Sequence, residues 1–244
     1  MRIAVVSDIH GNLAALEAVL ADLRGRGIER VLDLGDLLSG PLHPRETCDR
    51  LIELGWPTIA GNHERQVLHD PAERMGESDR HAAARLRPDQ RDWLGSLPPT
   101  LRLDEVLMVH GTPDSDLHTF LETVDAGGIR AATAAEAAAR AGDTDARLIL
   151  CGHTHTPRVV RLADGRLIVN PGSVGLQAYA SELPHPHRVE IGSPHARYAI
   201  VERDAGGEWS AQLVQVGYDW NAAAALAERN GRPDWARALA TGRM

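Results

Sequence analysis

Short apolar runs recur along the first half of the chain, and each is cut off by a polar cluster. Ile3 to Val6 has the length of a strand and no alternation, as expected of a strand buried on both faces. Asn12 is placed to cap a helix whose Leu13, Leu16, Leu20 and Leu23 fall at helical spacing, with Gly25 and Gly27 at its end. Val31 to Leu34 predicts a second strand. Pro44 suits the first turn of a helix running to about Leu54, and Thr58 to Ala60 predicts a third strand. The stretch from about Asp70 to Pro99 is polar, with a short helix opening at Pro88 and passing through Trp93 and Leu94. Val106 to Val109 and Leu148 to Cys151 are again strands, separated by an Ala-rich helix from Ala131 to Ala141.

The pattern then changes. Arg158 to Leu162 and Leu167 to Asn170 flank Ala163-Asp164-Gly165-Arg166, a hairpin signal. Arg197 to Val201 and Trp209 to Val216 form a second candidate hairpin across Ala205-Gly206-Gly207. Asn221 to Leu239 is helical with a break near Gly231 and Pro233. Alternating strands and helices followed by hairpins predict an α/β fold of two packed sheets with helices outside and helices at the C-terminus. No linker or repeat divides the sequence, so residues 1–244 are expected to form a single domain.

Composition adds exclusions. At 43% hydrophobic and 25% charged, the 244 residues are those of an ordinary globular protein, with no run of about 18 apolar residues to span a membrane. The N-terminus turns polar too soon for a signal peptide. The net charge of −8 argues against a broad nucleic-acid surface. Only two cysteines occur, Cys48 and Cys151, so a reduced, cytoplasmic setting is expected. All the basic residues are Arg, which reads as coding bias.

The chemistry sits where the apolar runs stop. Asp8-Ile9-His10, Gly35-Asp36, Gly61-Asn62-His63-Glu64, His110-Gly111 and Gly152-His153-Thr154-His155 are the five clusters. Asp8 and Asp36 give carboxylates, Asn62 an amide, and His10, His63, His110, His153 and His155 imidazoles. Mixed oxygen and nitrogen donors of this kind suit Mn, Fe, Zn or Ni better than Ca or Mg. Any one cluster alone reads as a loop or a helix cap. Five in order, each following a run of strand character, predict side chains converging on two divalent ions, a general device for in-line displacement at phosphorus.

Together these residues resemble the calcineurin-like metallophosphoesterase superfamily, in particular its small bacterial and archaeal phosphodiesterase branch. The likeness runs from about Arg2 to Gly175. It also rests on Gly40-Pro41, Leu97-Pro98-Pro99, His110-Gly111-Thr112-Pro113 and Asn170-Pro171-Gly172-Ser173-Val174-Gly175. The resemblance implies an α-β-β-α sandwich of the metallophosphoesterase type. It implies that Asp8, His10 and His155 hold one ion, that Asn62, His110 and His153 hold the other, and that Asp36 bridges them. His63 would contact the phosphate and assist the leaving group. The expected function is hydrolysis of a small phosphodiester or phosphomonoester by a dimetal-bound hydroxide, with Mn as first choice of metal and Fe, Ni or Zn also fitting. The alternatives are a dinucleoside polyphosphate hydrolase using the same site and a non-catalytic metal-binding scaffold. Position 39, where the protein-phosphatase branch carries a second acid, is Ser here, so the group that holds His63 is not visible in the motif.

His43, Arg45, Arg65 and His118 read as solvated loop residues. His185, His187 and His195 sit in a Pro-rich loop with Tyr179, where a second metal-binding patch is not expected, and the five Trp read as core or interface. Discrimination among substrates is expected from the loops at Asp70 to Pro88 and Ser181 to His195.

Overall fold

A computed structural model describes residues 1–244. The chain opens with β1 (Arg2–Val6), α1 (Leu13–Gly25), β2 (Val31–Asp33), α2 (Pro44–Leu54), α3 (Asn62–His69), α4 (Glu77–Ala83) and α5 (Pro88–Ser96). Next come β3 (Thr100–Leu103), β4 (Val106–Val109), β5 (Glu122–Asp125), β6 (Gly128–Ala131), α6 (Ala134–Ala141) and β7 (Leu148–Leu150). The remainder is β8 (Arg158–Arg161), β9 (Leu167–Asn170), β10 (Ala178–Ser181), β11 (His187–Glu190), β12 (Ala196–Arg203), β13 (Trp209–Val216), α7 (Trp220–Arg229) and α8 (Pro233–Thr241).

One sheet has the order β13-β12-β1-β2 and the other β3-β4-β7-β9-β8. β1 pairs in parallel with β2, and β4, β7 and β9 run parallel to one another. The C-terminal β12 returns antiparallel to β1. Strand parity sorts the side chains into layers. Ile3 and Val5 of β1 meet Met108, Leu148, Leu150 and Val169 of the facing sheet in the central core. Ala4 and Val6, one residue out of phase, pack under α1 on Leu16, Val19 and Leu20. On the far side, Ile149 and Ile168 pack beneath Ala137 and Ala141 of α6. The apolar run in β1 is thus two alternating faces, both buried, which is why it shows no alternation in sequence.

Both hairpins and the two C-terminal helices form as expected. Other boundaries moved. Thr58 makes only an isolated bridge to Asp33, because Pro57 leaves no room for a longer ladder and the chain turns at once into α3. The Ala-rich helix starts at Ala134, where Thr133 caps it, and Ala131 belongs to β6. The hairpins β5–β6 and β10–β11 and the helices α3 and α4 had too weak a period to be read from sequence. No helix is long and apolar enough to cross a membrane.

Candidate metal centre

The loops leaving β1, β2, β4 and β7 lie at one end of the sandwich and are joined in pairs, backbone to backbone, with His110 Nδ1 on Leu34 O linking the pairs. Asp8 N–H donates to Gly35 O (2.9 Å), His10 N–H to Asp36 O (3.0 Å) and Gly152 N–H to His110 O (2.8 Å). Gly175 N–H donates to Asp8 O at 3.0 Å, which ties in the loop after β9. These bonds hold unusual backbone geometry. Asp8, His10, Asp36, His153 and His155 all have positive φ, between 53° and 66°. Such conformations cost of order 1–3 kcal/mol each in non-glycine residues and persist only where the surroundings dictate them.

Two triads result. Asp8, His10 and His155 have ligand atoms within 4.8 Å of one another, and so do Asp36, His110 and His153. Their imidazoles are oriented by main-chain acceptors. His10 Nδ1 lies 2.7 Å from Ser39 O, His110 Nδ1 2.7 Å from Leu34 O, and His155 Nδ1 2.7 Å from Leu176 O. A carbonyl only accepts, so the proton is on Nδ1 and, in the neutral ring, the lone pair is on Nε2. His10 Nε2 and His155 Nε2 then face each other at 3.0 Å, an arrangement that a cation relieves.

Unpartnered atoms point the same way. Neither carboxylate oxygen of Asp8 accepts a hydrogen bond, and Asn62 Oδ1 is buried without a partner while its Nδ2 donates to Gln66 Oε1 at 3.2 Å. His110 Nε2 sits 3.0 Å from Asp36 Oδ2 but out of hydrogen-bond alignment. Buried acceptors left bare are costly unless something positive sits among them. The donor set therefore fits divalent ions.

Titration agrees for most members. Burial and the neighbouring His155 lower His10 to about 3, and burial with His110 lowers His153 to about 4, so both rings are neutral near pH 7 and able to bind a cation. Burial opposes charge on Asp8 and Asp36, but the imidazoles around them pull both below the usual carboxylate range. His110 differs. Burial works against its charge, yet Asp36 and Asp8 raise it to about 10, so a cation here displaces a proton from His110.

Two acids outside the expected set organise the rest. Glu64 accepts from Asp36 N–H (2.8 Å), Leu37 N–H (2.9 Å) and Gly61 N–H (2.8 Å), locking the β2 loop to the start of α3. Asp36 Oδ1 in turn accepts from His63 N–H at 2.9 Å. Asp79, on α4, takes His63 Nδ1–H at 2.7 Å. It supplies the support that Ser39 cannot, and no sequence spacing announces it. Burial lowers the imidazole's affinity for a proton, but Asp36 and the bonded Asp79 raise His63 to about 9. Its ring packs edge-on to His10 at 5.4 Å, with Nε2 4.0 Å from Asp36 Oδ2.

The Asn170–Gly175 motif serves as a clamp. Asn170 Nδ2 donates to Gly152 O and Thr154 Oγ1, and Ser173 Oγ–H donates to Asp8 O at 2.7 Å. Gly175 passes so close to the Asp8–His10 loop that a Cβ there would lie 1.8 Å from Ile9 O.

Residues 1–188 match the calcineurin-like phosphoesterase superfamily domain. The chain belongs to that superfamily. It is 28% identical over 252 residues to an uncharacterised protein of Methanocaldococcus jannaschii, across 96% of this chain and 94% of that one. The crystal structure of a metallophosphoesterase from Sphaerobacter thermophilus superposes with a TM-score of 0.76 at 28% identity, covering 99% of this chain and all of the other. A putative diadenosine tetraphosphatase shares the fold at 19% identity and a TM-score of 0.53, over 88% of this chain and 94% of its own. Phosphoester hydrolysis with divalent metals is the chemistry of this superfamily, and the fold is its mixed α/β arrangement.

In front of the triads lies a cavity of about 1140 Å³. His10, Asp36, Asn62, His63, His153 and His155 open onto it, as do Tyr179, His187, His118 and Trp235. His118 was expected to be a solvated loop residue and Trp235 core or interface; His118 lines the cavity, and Trp235 is buried at its edge. Tyr179 packs edge-on to His155 at 4.9 Å. His43 is exposed, and Arg65 pairs with Asp116 at 2.7 Å. Ser78, Ser181, Leu183 and Pro184 reach the cavity from the two loop regions singled out for discrimination.

Proposed function

We propose that the protein hydrolyses a small phosphate ester with two divalent cations, Asp8, His10 and His155 holding one, Asn62, His110 and His153 the other, and Asp36 lying between them. The observation that carries this reading is the pair of adjacent triads with lone pairs and bare carboxylate oxygens turned inward. Cations at such a site acidify a water and neutralise charge on phosphoryl oxygens.

The chain's own residues do the rest. His63, protonated and held at Nδ1 by Asp79, offers its Nε2–H to the leaving oxygen or a phosphoryl oxygen. The five positive-φ ligands and their backbone bonds fix the site before substrate arrives. The cavity exceeds what a phosphoryl group needs, which favours an ester with a sizeable organic group, diester or monoester. Imidazoles mixed with carboxylate and amide oxygens favour Mn, then Fe, Ni or Zn. Residues 1–244 act as one domain in this reading, since β12 pairs with β1 and Trp235 packs edge-on to His10 at 5.9 Å. Cys48 and Cys151 are free and buried, which suits the cytoplasm.

Metal analysis with assays on bis(p-nitrophenyl) phosphate and p-nitrophenyl phosphate in Mn tests the proposal, with Asp36→Asn as control. Hydrolysis that disappears in the variant supports it. A metal-loaded protein inert to both esters would instead make the fold a binding scaffold.

A further inference from the structure

The C-terminal helical hairpin lies outside the residues that match the family domain, yet it lines the cavity and sets Trp235 edge-on against His10 of one triad. Asn230 Nδ2 donates to Pro41 O at 2.8 Å, anchoring the α7–α8 turn against the loop that follows Asp36. Trp235 is buried, and Gly40 passes so close that a Cβ there would lie 2.8 Å from the indole ring. Arg232, just before α8, stacks over Trp235 with its guanidinium carbon 5.7 Å from the ring centre.

The guanidinium of Arg232 then crosses to α4. Nη1 donates to Ser78 Oγ at 2.9 Å, and Nε stands 3.4 Å from Glu77 Oε2 while it and Nη2 grip Asp234. Only 16% of the side chain is exposed. The ion pair to Glu77, itself 69% exposed, contributes little, so the bond to Ser78 carries most of the hold on α4. α4 is seven residues long and has no side-chain N-cap. A helix that short is not stable by itself, so its placement depends on its contacts. Those include Ala82 in the core with Ala83 packed against it, Arg91 on Ala83 O, Arg232 on Glu77 and Ser78, and Asp79 on His63. Asp79 is the residue immediately after Ser78.

We propose that Arg232 is a positioning residue for the reaction: by fixing the first turn of α4 through Ser78 and Glu77, it holds the Asp79 carboxylate on Nδ1 of His63. The guanidinium does not touch the reacting atoms. It determines the direction in which the His63 ring presents Nε2, and so acts on the step in which the leaving oxygen is stabilised. The inference rests on the phosphoesterase reading of the site.

A double-mutant cycle on the full-length, Mn-loaded protein tests it, using Arg232→Ala, Asp79→Asn and the pair. Arg232→Ala is expected to lower kcat by about tenfold with KM nearly unchanged, the signature of an interaction made only in the transition state. The loss should be larger on a phenyl ester than on a p-nitrophenyl ester, whose leaving group needs less help. In the Asp79→Asn background, Arg232→Ala should have almost no further effect, because the two act as one unit. Ser78→Ala, which removes one link without disturbing α8, should act in the same direction and by less. Arg232→Lys should recover part of the rate.

A readout independent of turnover is the downfield proton NMR signal of the His63 Nδ1–H, assigned by its disappearance in Asp79→Asn. It should move upfield or broaden in Arg232→Ala, since a short charge-assisted bond is being released. Multiplicative effects on kcat, or an unmoved proton signal, overturn the proposal. A parent protein that hydrolyses no ester while the signal still shifts would fault the phosphoesterase reading and leave the link between Arg232 and His63 standing.

Discussion

The imidazole of His63 is fixed at one nitrogen and free at the other, the arrangement a general acid requires. His63→Ala should lower kcat on the order of 10²–10⁴-fold while bound metal is unchanged. Loss of metal together with activity would show that His63 is a ligand. Against the effect of burial, Asp36 and Asp79 raise His63 above its ordinary value, so its proton is present at neutral pH and lost on the alkaline side, where kcat should fall. Asp79 is one of the groups raising it, and in Asp79→Asn the alkaline fall should move to lower pH. Glu64 offers a second test at this scale. It satisfies three buried N–H groups at once, so Glu64→Ala orphans all three and should cost at least about 1–3 kcal/mol in denaturant unfolding. The variant's metal affinity should fall as well, because Asp36 and the start of α3 are no longer tied together.

Among elements, the loops matter more than the strands they leave. The strands provide two flat, buried platforms. The loops after β1, β2, β4 and β7 convert them into a site because they bond in pairs through the backbone and across the pairs through His110 and Leu34 O. The Asn170–Gly175 turn closes this set, and Gly175 is its tightest point. Gly175→Ala places a methyl group against Ile9 O and should push the Asp8–His10 loop outward. Overpacking of this kind typically costs about 1–3 kcal/mol. Metal affinity should drop much further than in Asn12→Ala, which removes the cap of α1 and a bond to Gly175 O. Equal losses of metal in the two variants would deny the turn its part in holding the Asp8–His10 loop.

For the whole molecule, stability should follow metal and pH together. Cations that bind only the folded chain stabilise it by about 2.7 kcal/mol at a hundred times Kd, so Mn should raise Tm and EDTA should reverse the rise. A second contribution comes from Glu122, buried behind the His153–His155 loop. Burial raises it to about 7, with Thr154, Arg158 and Arg140 offsetting only part of the effect. The unfolded chain gives up this proton near its ordinary value of 4.5. Between these two values the folded form holds the proton while the unfolded form has lost it, so stability falls as pH rises through that window. Glu122→Gln should abolish this slope and leave the protein more stable than the parent above pH 7, by roughly 3 kcal/mol at most. Identical pH profiles for the two proteins would mean that Glu122 is ionised in the fold.

Much of this was written in the chain itself. β1, β2, β4 and β7 were legible because strands buried on both faces leave unbroken apolar runs, and α1 and α2 because a cap and an N-terminal proline mark their starts. The ligand types were legible too, because polar residues that stop such runs fall together at the strand ends. The sequence by itself therefore determined the layers and the residues that gather at the candidate centre. Asp79, Trp235, Tyr179 and Arg232 stayed hidden for a physical reason. Asp79 and Tyr179 lie on short elements whose own periodicity is weak, while Trp235 and Arg232 lie at the start of a helix that was legible but whose packing partner was not. Which carboxylate supports His63, and which helix closes the cavity, are decided by packing between elements, and only the tertiary structure sets that.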